Sequence, residues 1–167
     1  LYPHVEFDGR RAPADLDAYP RTRDYLESHR EQLEGRSYVQ ASSRPWYVVW
    51  VAHQPADWAR AKLVWRDIAK DATFWIDPPG RIVNGDCYWM VLEEGLDEDL
   101  LWLACAVGNS SVAKRYYDAC FGNRLYAGRR RWITQYVKHF PLPDPGHTSS
   151  QKVIALAREA GSRDEGP

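Results

Sequence analysis

The apolar pattern of this chain changes period at Gly95, and that change demands a mixed fold. Upstream lie short aromatic and β-branched runs: Trp46 to Ala52, Leu63 to Ile68, Thr73 to Ile76, Ile82-Val83 and Cys87 to Leu92. Turn formers separate them, among them Asp77-Pro78-Pro79-Gly80 and Asn84-Gly85. Short runs bounded by Pro and Gly are strand signals, and Asn-Gly favours a tight turn. Downstream, Leu100, Leu101, Leu103 and Ala104 follow helical spacing behind Asp97, a residue suited to cap a helix. Gly108-Asn109-Ser110-Ser111 interrupts that helix, and a second runs to about Phe121. The expected class is therefore α+β, a β-rich subdomain over 44–92 followed by a helical hairpin over 97–121.

The flanks are plainer. Leu1 to Ala18 mixes Pro, Gly, Asp and Arg and reads as an irregular entry segment. A leading helix is expected over 19–34, with Tyr25, Leu26 and Leu33 on its apolar side and Gly35 as its stop. Trp132, Ile133, Tyr136 and Val137 form a short helical pattern, ended by Pro141, Pro143 and Pro145. A tail over 146–167 is expected to be helical from Ser149 to Ala160. The chain starts at Leu1 rather than Met and reads as a piece of a longer protein.

Composition excludes several classes. No long apolar run or signal peptide is visible, so no membrane partner is expected and a cytoplasmic setting is the default. Cys87, Cys105 and Cys120 lack a Cys-x-x-Cys pair and read as small buried apolar side chains. His4, His29, His53, His139 and His147 are scattered without metal-type pairing. Ser42-Ser43 and Ser110-Ser111 lack the frame of a nucleophile elbow. No residue is therefore expected to be catalytic.

Net charge is only −1, but its distribution is bipolar. Glu93, Glu94, Asp97, Glu98 and Asp99 form an acidic block. Lys114, Arg115, Arg124, Arg129, Arg130, Arg131 and Lys138 follow, opposed locally only by Asp118. Such a chain can turn one basic face to a polyanion while staying near neutral overall. The run Arg129-Arg130-Arg131, flanked by Tyr126 and Trp132, is the first candidate, with Arg124 and Lys138 beside it in sequence. Arg forks grip phosphate or guanine in bidentate fashion. Three adjacent Arg cannot all face one way, so some are expected to hold phosphates and others to pair internally. Arg44, Lys62 and Arg66 are further candidates; Lys62 and Arg66, four apart, share a face of a strand. Trp46, Trp50, Trp65, Trp75, Trp89 and Trp102 are expected to be mostly core.

Several pieces, in this order, resemble the C-terminal specificity domain of TaqI-like adenine-specific DNA methyltransferases and fused restriction-modification enzymes. They are Leu1-Tyr2-Pro3, Tyr25-Leu26 through Leu33-Glu34-Gly35-Arg36, Arg44-Pro45-Trp46-Tyr47 and Ala61-Lys62-Leu63-Val64. Phe74-Trp75-Ile76-Asp77 with Tyr88-Trp89-Met90, Leu100-Leu101 to Gly108-Asn109-Ser110, and Pro141-Leu142-Pro143 complete them. The resemblance implies a target-recognition domain over 1–145, its β-rich specificity subdomain followed by the helical hairpin. It implies double-stranded DNA as partner and a covalently linked catalytic methyltransferase domain. S-adenosylmethionine is then expected in that domain and no cofactor in this fragment. Asp77-Pro78-Pro79-Gly80 imitates the catalytic motif of such enzymes, but Gly80 has no ring to stack on a flipped base. Two alternatives stay open: a reader of modified nucleotides using a cage of Trp65, Trp75 and Trp89, and a protein-interaction scaffold.

Overall fold

A computed structural model describes residues 1–83 and 85–163. The chain divides into two compact units, Leu1–Ala59 and Arg60–Pro167. The segment 44–92 crosses that boundary, so its first runs and its later strands belong to different units.

The first unit opens with an antiparallel hairpin, not with irregular chain. β1 (His4–Phe7) pairs with β2 (Arg10–Pro13) in the register His4↔Pro13 to Phe7↔Arg10. Asp8 and Gly9 both take positive φ, 54° and 69°, as a two-residue turn matching strand twist requires. The expected helix over 19–34 is broken. α1 (Pro20–Glu27) begins on Pro at its first turn, and α2 (Arg30–Glu34) follows after Ser28 and His29. Only Leu26 is buried along α1, so little apolar surface holds the two segments in one line. The short α3 (Ser37–Gln40) comes next.

Trp46 to Ala52 is not a strand. Its alternate carbonyls are taken by side chains instead of a ladder. Arg36 Nη2 donates to Trp46 O at 2.7 Å, Tyr38 Oη to Val48 O at 3.1 Å and Arg44 Nη1 to Trp50 O at 3.1 Å. Arg11 Nη1 donates to Ala52 O. The composition of the run suits a sheet, but no neighbouring strand supplies the backbone partners. Trp50 is 62% exposed rather than core, while Trp58, outside the expected set, is buried against Tyr2 and His53.

The second unit is built on a three-stranded antiparallel sheet. β3 (Lys62–Arg66) is central, β5 (Phe74–Asp77) pairs it from Lys62↔Asp77 to Trp65↔Phe74, and β6 (Cys87–Met90) from Leu63↔Met90 to Arg66↔Cys87. Ile82-Val83 is not a strand, and the expected turn at Asn84-Gly85 includes Asn84, which lies outside the described residues. A two-residue strand, β4 (Ile68–Ala69), leaves β3 and pairs far downstream with β7 (Arg130–Arg131).

The expected helical hairpin is present. α4 (Asp99–Gly108) and α5 (Ser111–Cys120) meet at Asn109-Ser110. Asp97 Oδ1 accepts from Asp99 N at 2.9 Å, and Ser110 Oγ caps α5 by accepting from Ala113 N at 3.1 Å. Asn109 grips β5 through both ends of its amide, accepting from Phe74 N at 2.9 Å and donating to Phe74 O at 2.8 Å. α6 (Thr134–Val137) and the tail helix α7 (Thr148–Arg163) follow, the latter packed along α4. The core joins sheet and helices through Leu63, Trp65, Phe74, Leu101, Tyr117, Trp132 and Val137. Cys87 and Cys105 are half-buried, but Cys120 is exposed, so the three do not share one role.

Gly108 marks the closest approach of helix to sheet. A Cβ there would stand 2.7 Å from the Phe74 ring. Phe74 cannot slide away, because Asn109 holds its backbone on both sides. Overpacking a site of this kind costs about 1–3 kcal/mol, more than the roughly 0.5–1 kcal/mol that Ala gains over Gly inside a helix. Gly108→Ala is expected to unfold at lower urea concentration than the parent chain, with unchanged m-value. An equal or higher midpoint would show that the ring yields.

Candidate nucleic-acid interface

The basic run lies on an arm that the second unit holds at both ends. Tyr126–Gly128 forms a 3-10 turn in which Ala127 and Gly128 take φ of 55° and 71°, bending the chain back. Leu125 N then donates to Arg129 O at 2.8 Å, and Arg124 bridges Arg130. β7 closes the arm against β4 in the register Ile68↔Arg131 and Ala69↔Arg130. Trp132 anchors it. Its N donates to Asp67 O at 2.6 Å, its indole to Ala69 O at 3.3 Å, and its carbonyl accepts from the Trp65 indole at 2.7 Å.

Strand alternation therefore sorts the three Arg. Arg130 points inward and is buried. Its Nε and Nη2 meet both Asp118 oxygens at 2.6 Å, and its Nη1 donates to Lys70 O at 2.8 Å and Gly128 O at 3.1 Å. The hydrogen bonds from Arg130, assisted by the charge of Arg124, hold the Asp118 carboxyl below the usual carboxylate range. Arg131 points outward, with Nε 3.2 and 3.3 Å from the Asp67 oxygens. Arg129 is exposed and lies over the exposed Tyr126 ring, 5.6 Å from its centroid. A guanidinium on an aromatic face with its edge in solvent is a suitable donor for phosphate or a base edge.

Two of the side chains expected to contact DNA are buried and committed within the fold. Arg130 has its fork filled by Asp118 and two carbonyls. Lys62 is fully buried, its Nζ 3.0 Å from Arg60 O, 3.3 Å from Pro78 O and 3.7 Å from Asp77 Oδ2. Sharing a strand face with Arg66 did not place Lys62 in solvent, because its end of β3 is covered while Arg66 is exposed. Arg124 is 64% exposed and 3.2 Å from Asp118 Oδ2. Lys138 is exposed, with no side-chain hydrogen bond or ion pair among the described residues. Arg44 lies in the first unit, exposed and bonded to Trp50 O. Asp67 and Asp71, which partner Arg131 and Lys114, come from more than forty residues upstream and carried no local signal.

The competing catalytic and cage readings lose their geometry. Asp77 is occupied by Lys62 and by Arg81 at 3.6 Å. Among the described residues no group of three or more His, Cys, Asp or Glu could hold a metal ion. Trp75 and Trp89 both stand opposite Val64 on β3, so they share its face, whereas Trp65 is fully buried on the other. The three cannot form a cage. No helix of the described residues is long and apolar enough to cross a membrane.

Comparison with known sequences decides the family. The pattern of the TaqI-like C-terminal specificity domain matches residues 19–142. The chain belongs to that family. The specificity domain is also 38% identical over 159 residues to the type II methyltransferase M.BanIII of Aneurinibacillus aneurinilyticus, covering 95% of this chain and 27% of that protein. It is 27% identical over 150 residues to the type II methyltransferase M.PaeR7I of Pseudomonas aeruginosa, covering 90% of this chain and 25% of that protein. The specificity domain thus spans about a quarter of the length of these curated relatives. The matched family is that of a C-terminal specificity domain.

Proposed function

We propose that the specificity domain recognises a sequence in double-stranded DNA on behalf of an adenine-specific methyltransferase domain in the same polypeptide. That catalytic domain would bind S-adenosylmethionine and methylate the flipped adenine, while residues 1–145 supply target recognition. The observation that carries the reading is Arg129, presented with Tyr126 at the tip of an arm held on both sides. Arg124, Arg131, Lys138 and Arg66 are exposed and suited to phosphates. Arg131 is half spent on Asp67, so it has a donor edge left and a fixed orientation.

The chain alone is expected to bind duplex DNA weakly and with steep salt dependence, with dissociation constants of roughly 10⁻⁴–10⁻⁶ M at physiological salt. Fluorescence anisotropy from 50 to 300 mM salt tests this. Substituting Lys138 by Ala should lower the salt slope by about 0.9 and weaken all sequences alike. Arg129→Ala, scored by methylation of randomised sites in the full-length enzyme, should relax preference at one position and cost roughly 1–3 kcal/mol. Arg129→Lys should keep charge but not selectivity. Absence of binding at 50 mM salt, or identical behaviour of every variant at Arg124, Arg129, Arg131 and Lys138, would remove the proposal.

A further inference from the structure

The first unit carries a pocket of about 410 Å³ between its hairpin and the segment 44–52, lined among others by His4, Arg11, Arg44, Pro45 and Trp50. Its wall is unusual in sign. Arg11 and Arg44 each use one nitrogen to hold a carbonyl of the same segment, those of Ala52 and Trp50. These are alternate carbonyls, so the segment fixes two guanidiniums in neighbouring positions and leaves their other N–H groups uncommitted. Neither Arg has an ion-pair partner among the described residues, and no carboxylate lines the pocket. This contrasts with Arg23, Arg30, Arg130, Arg131 and Arg158, all of which lie against carboxylates. His4 adds no compensating charge. Burial and the nearby Arg11 lower its pKa, and its Nδ1 has no hydrogen-bond partner among the described residues. Two restrained cations facing a recess with both polar and apolar wall favour an anion with several acceptor oxygens and a carbon skeleton beside it. The exposed Trp50 ring at the rim offers an apolar surface to such a skeleton.

We propose that this recess is a second polynucleotide contact, in which Arg11 and Arg44 together hold one backbone phosphodiester of the DNA. The inference rests on the DNA-recognition reading above, but it names a different unit and different residues. Two guanidiniums on one phosphate can each supply charge-assisted hydrogen bonds, and their pre-set carbonyl anchors reduce the ordering lost on binding.

The test compares Arg11→Gln, Arg44→Gln and the corresponding Lys variants with the parent 167-residue chain, all checked for an unchanged melting profile. Duplex binding is measured across salt. Each Gln variant is expected to lower the slope of log K against log salt, by up to about 0.9 for the pair acting on one phosphate. Affinity then falls as much as nearly tenfold for each tenfold drop in salt below the concentration where variant and parent bind equally. Each Lys variant should retain most of the slope. Should the Gln variants misfold, the parent chain is titrated against duplexes carrying a single neutral methylphosphonate at successive positions. One position must then reproduce the loss, stay sensitive in the Lys variants, which keep the charge, and become indifferent in Arg11→Met or Arg44→Met; without such a position the inference is overturned. Unchanged slopes at Arg11 and Arg44, alongside a reduced slope at Lys138, overturn this inference and leave the DNA reading intact. No duplex binding by the parent chain at 50 mM salt removes both. Binding of inorganic phosphate at Arg11 and Arg44, seen as amide shifts, without any effect of the Gln variants on DNA, assigns the pocket to a small anion and overturns the polynucleotide source.

Discussion

Arg130→Ala is expected to lower the stability of the second unit by about 3–5 kcal/mol, the usual cost of removing one partner from a buried ion pair. The loss has two parts. Asp118, one-fifth exposed, keeps only Arg124 as a partner, and the Lys70 and Gly128 carbonyls lose their donor. Arg129→Ala, one residue away, should stay within about 0.5 kcal/mol of the parent chain, as exposed substitutions do. Replacing Arg130 and Asp118 together by Met and Leu should recover most of the loss, since an apolar pair of similar volume needs no desolvation. The pH dependence has a definite sign. Asp118 has its folded pKa depressed, first by the Arg130 hydrogen bonds. Its contribution is therefore complete above the unfolded value, near 3.9, and is lost as pH falls through the lower folded value. Urea melts at pH 7 should separate the variant from the parent widely, and melts in strong acid should bring them together. Equal midpoints at pH 7 would mean that Arg130 is not the internal member of the triplet and would return it to the DNA-facing set.

Trp132→Ala carries the other large effect. Trp132 is nearly fully buried, its ring 4.5 Å from that of Tyr117, and Tyr117 Oη donates to Arg131 O. Truncating a core Trp costs about 3–5 kcal/mol. If the arm reads DNA as proposed, the consequence reaches beyond stability. The indole ties β7 to Ala69, and the Tyr117 hydroxyl ties down the residue that carries the outward Arg131. Without the ring the arm loses its packing against the core, so Arg129 and Arg131 lose their fixed aim. A full-length methyltransferase carrying Trp132→Ala should remain able to methylate but with relaxed site preference, at temperatures where it is still folded. Trp132→Phe keeps ring packing and gives up only the Ala69 contact, so its site preference should stay near that of the parent. If Trp132→Ala preserves sharp discrimination while folded, the arm is held by its backbone ladder alone.

These effects depend on contacts of very different legibility. The helical hairpin was readable because its signals are local. Asp97 and Ser110 accept from backbone N–H groups two and three residues on, and the apolar spacing of Leu100 to Ala104 repeats within one turn. β3, β5 and β6 were readable for the same reason, though not their order, with β3 between two later strands, whereas β7 carried no strand signal. The hairpin of the first unit carried its signal in Asp8-Gly9, which was outweighed by the surrounding Pro and Arg. Trp46 to Ala52 failed in the opposite direction. Its residues have strand character, yet Arg36, Tyr38, Arg44 and Arg11 satisfy its carbonyls from outside the segment.

The sequence by itself determined the class of fold, the hairpin with its caps, and the order of segments that marks the family. Each of these depends on neighbours within a few residues or on spacing along the chain. It also determined that Arg129, Arg130 and Arg131 could not act alike, because adjacent residues in extended chain face opposite ways. Only the tertiary structure decided which of them is free. Asp67 and Asp118 reach the arm from 64 residues and 12 residues away and occupy Arg131 and Arg130. The same holds for Lys62, whose charge looked available until β5 and the carbonyls of Arg60 and Pro78 closed around it. A cation's availability is set by which carboxylates and carbonyls folding brings within hydrogen-bond distance, and those partners need not be near it in the chain.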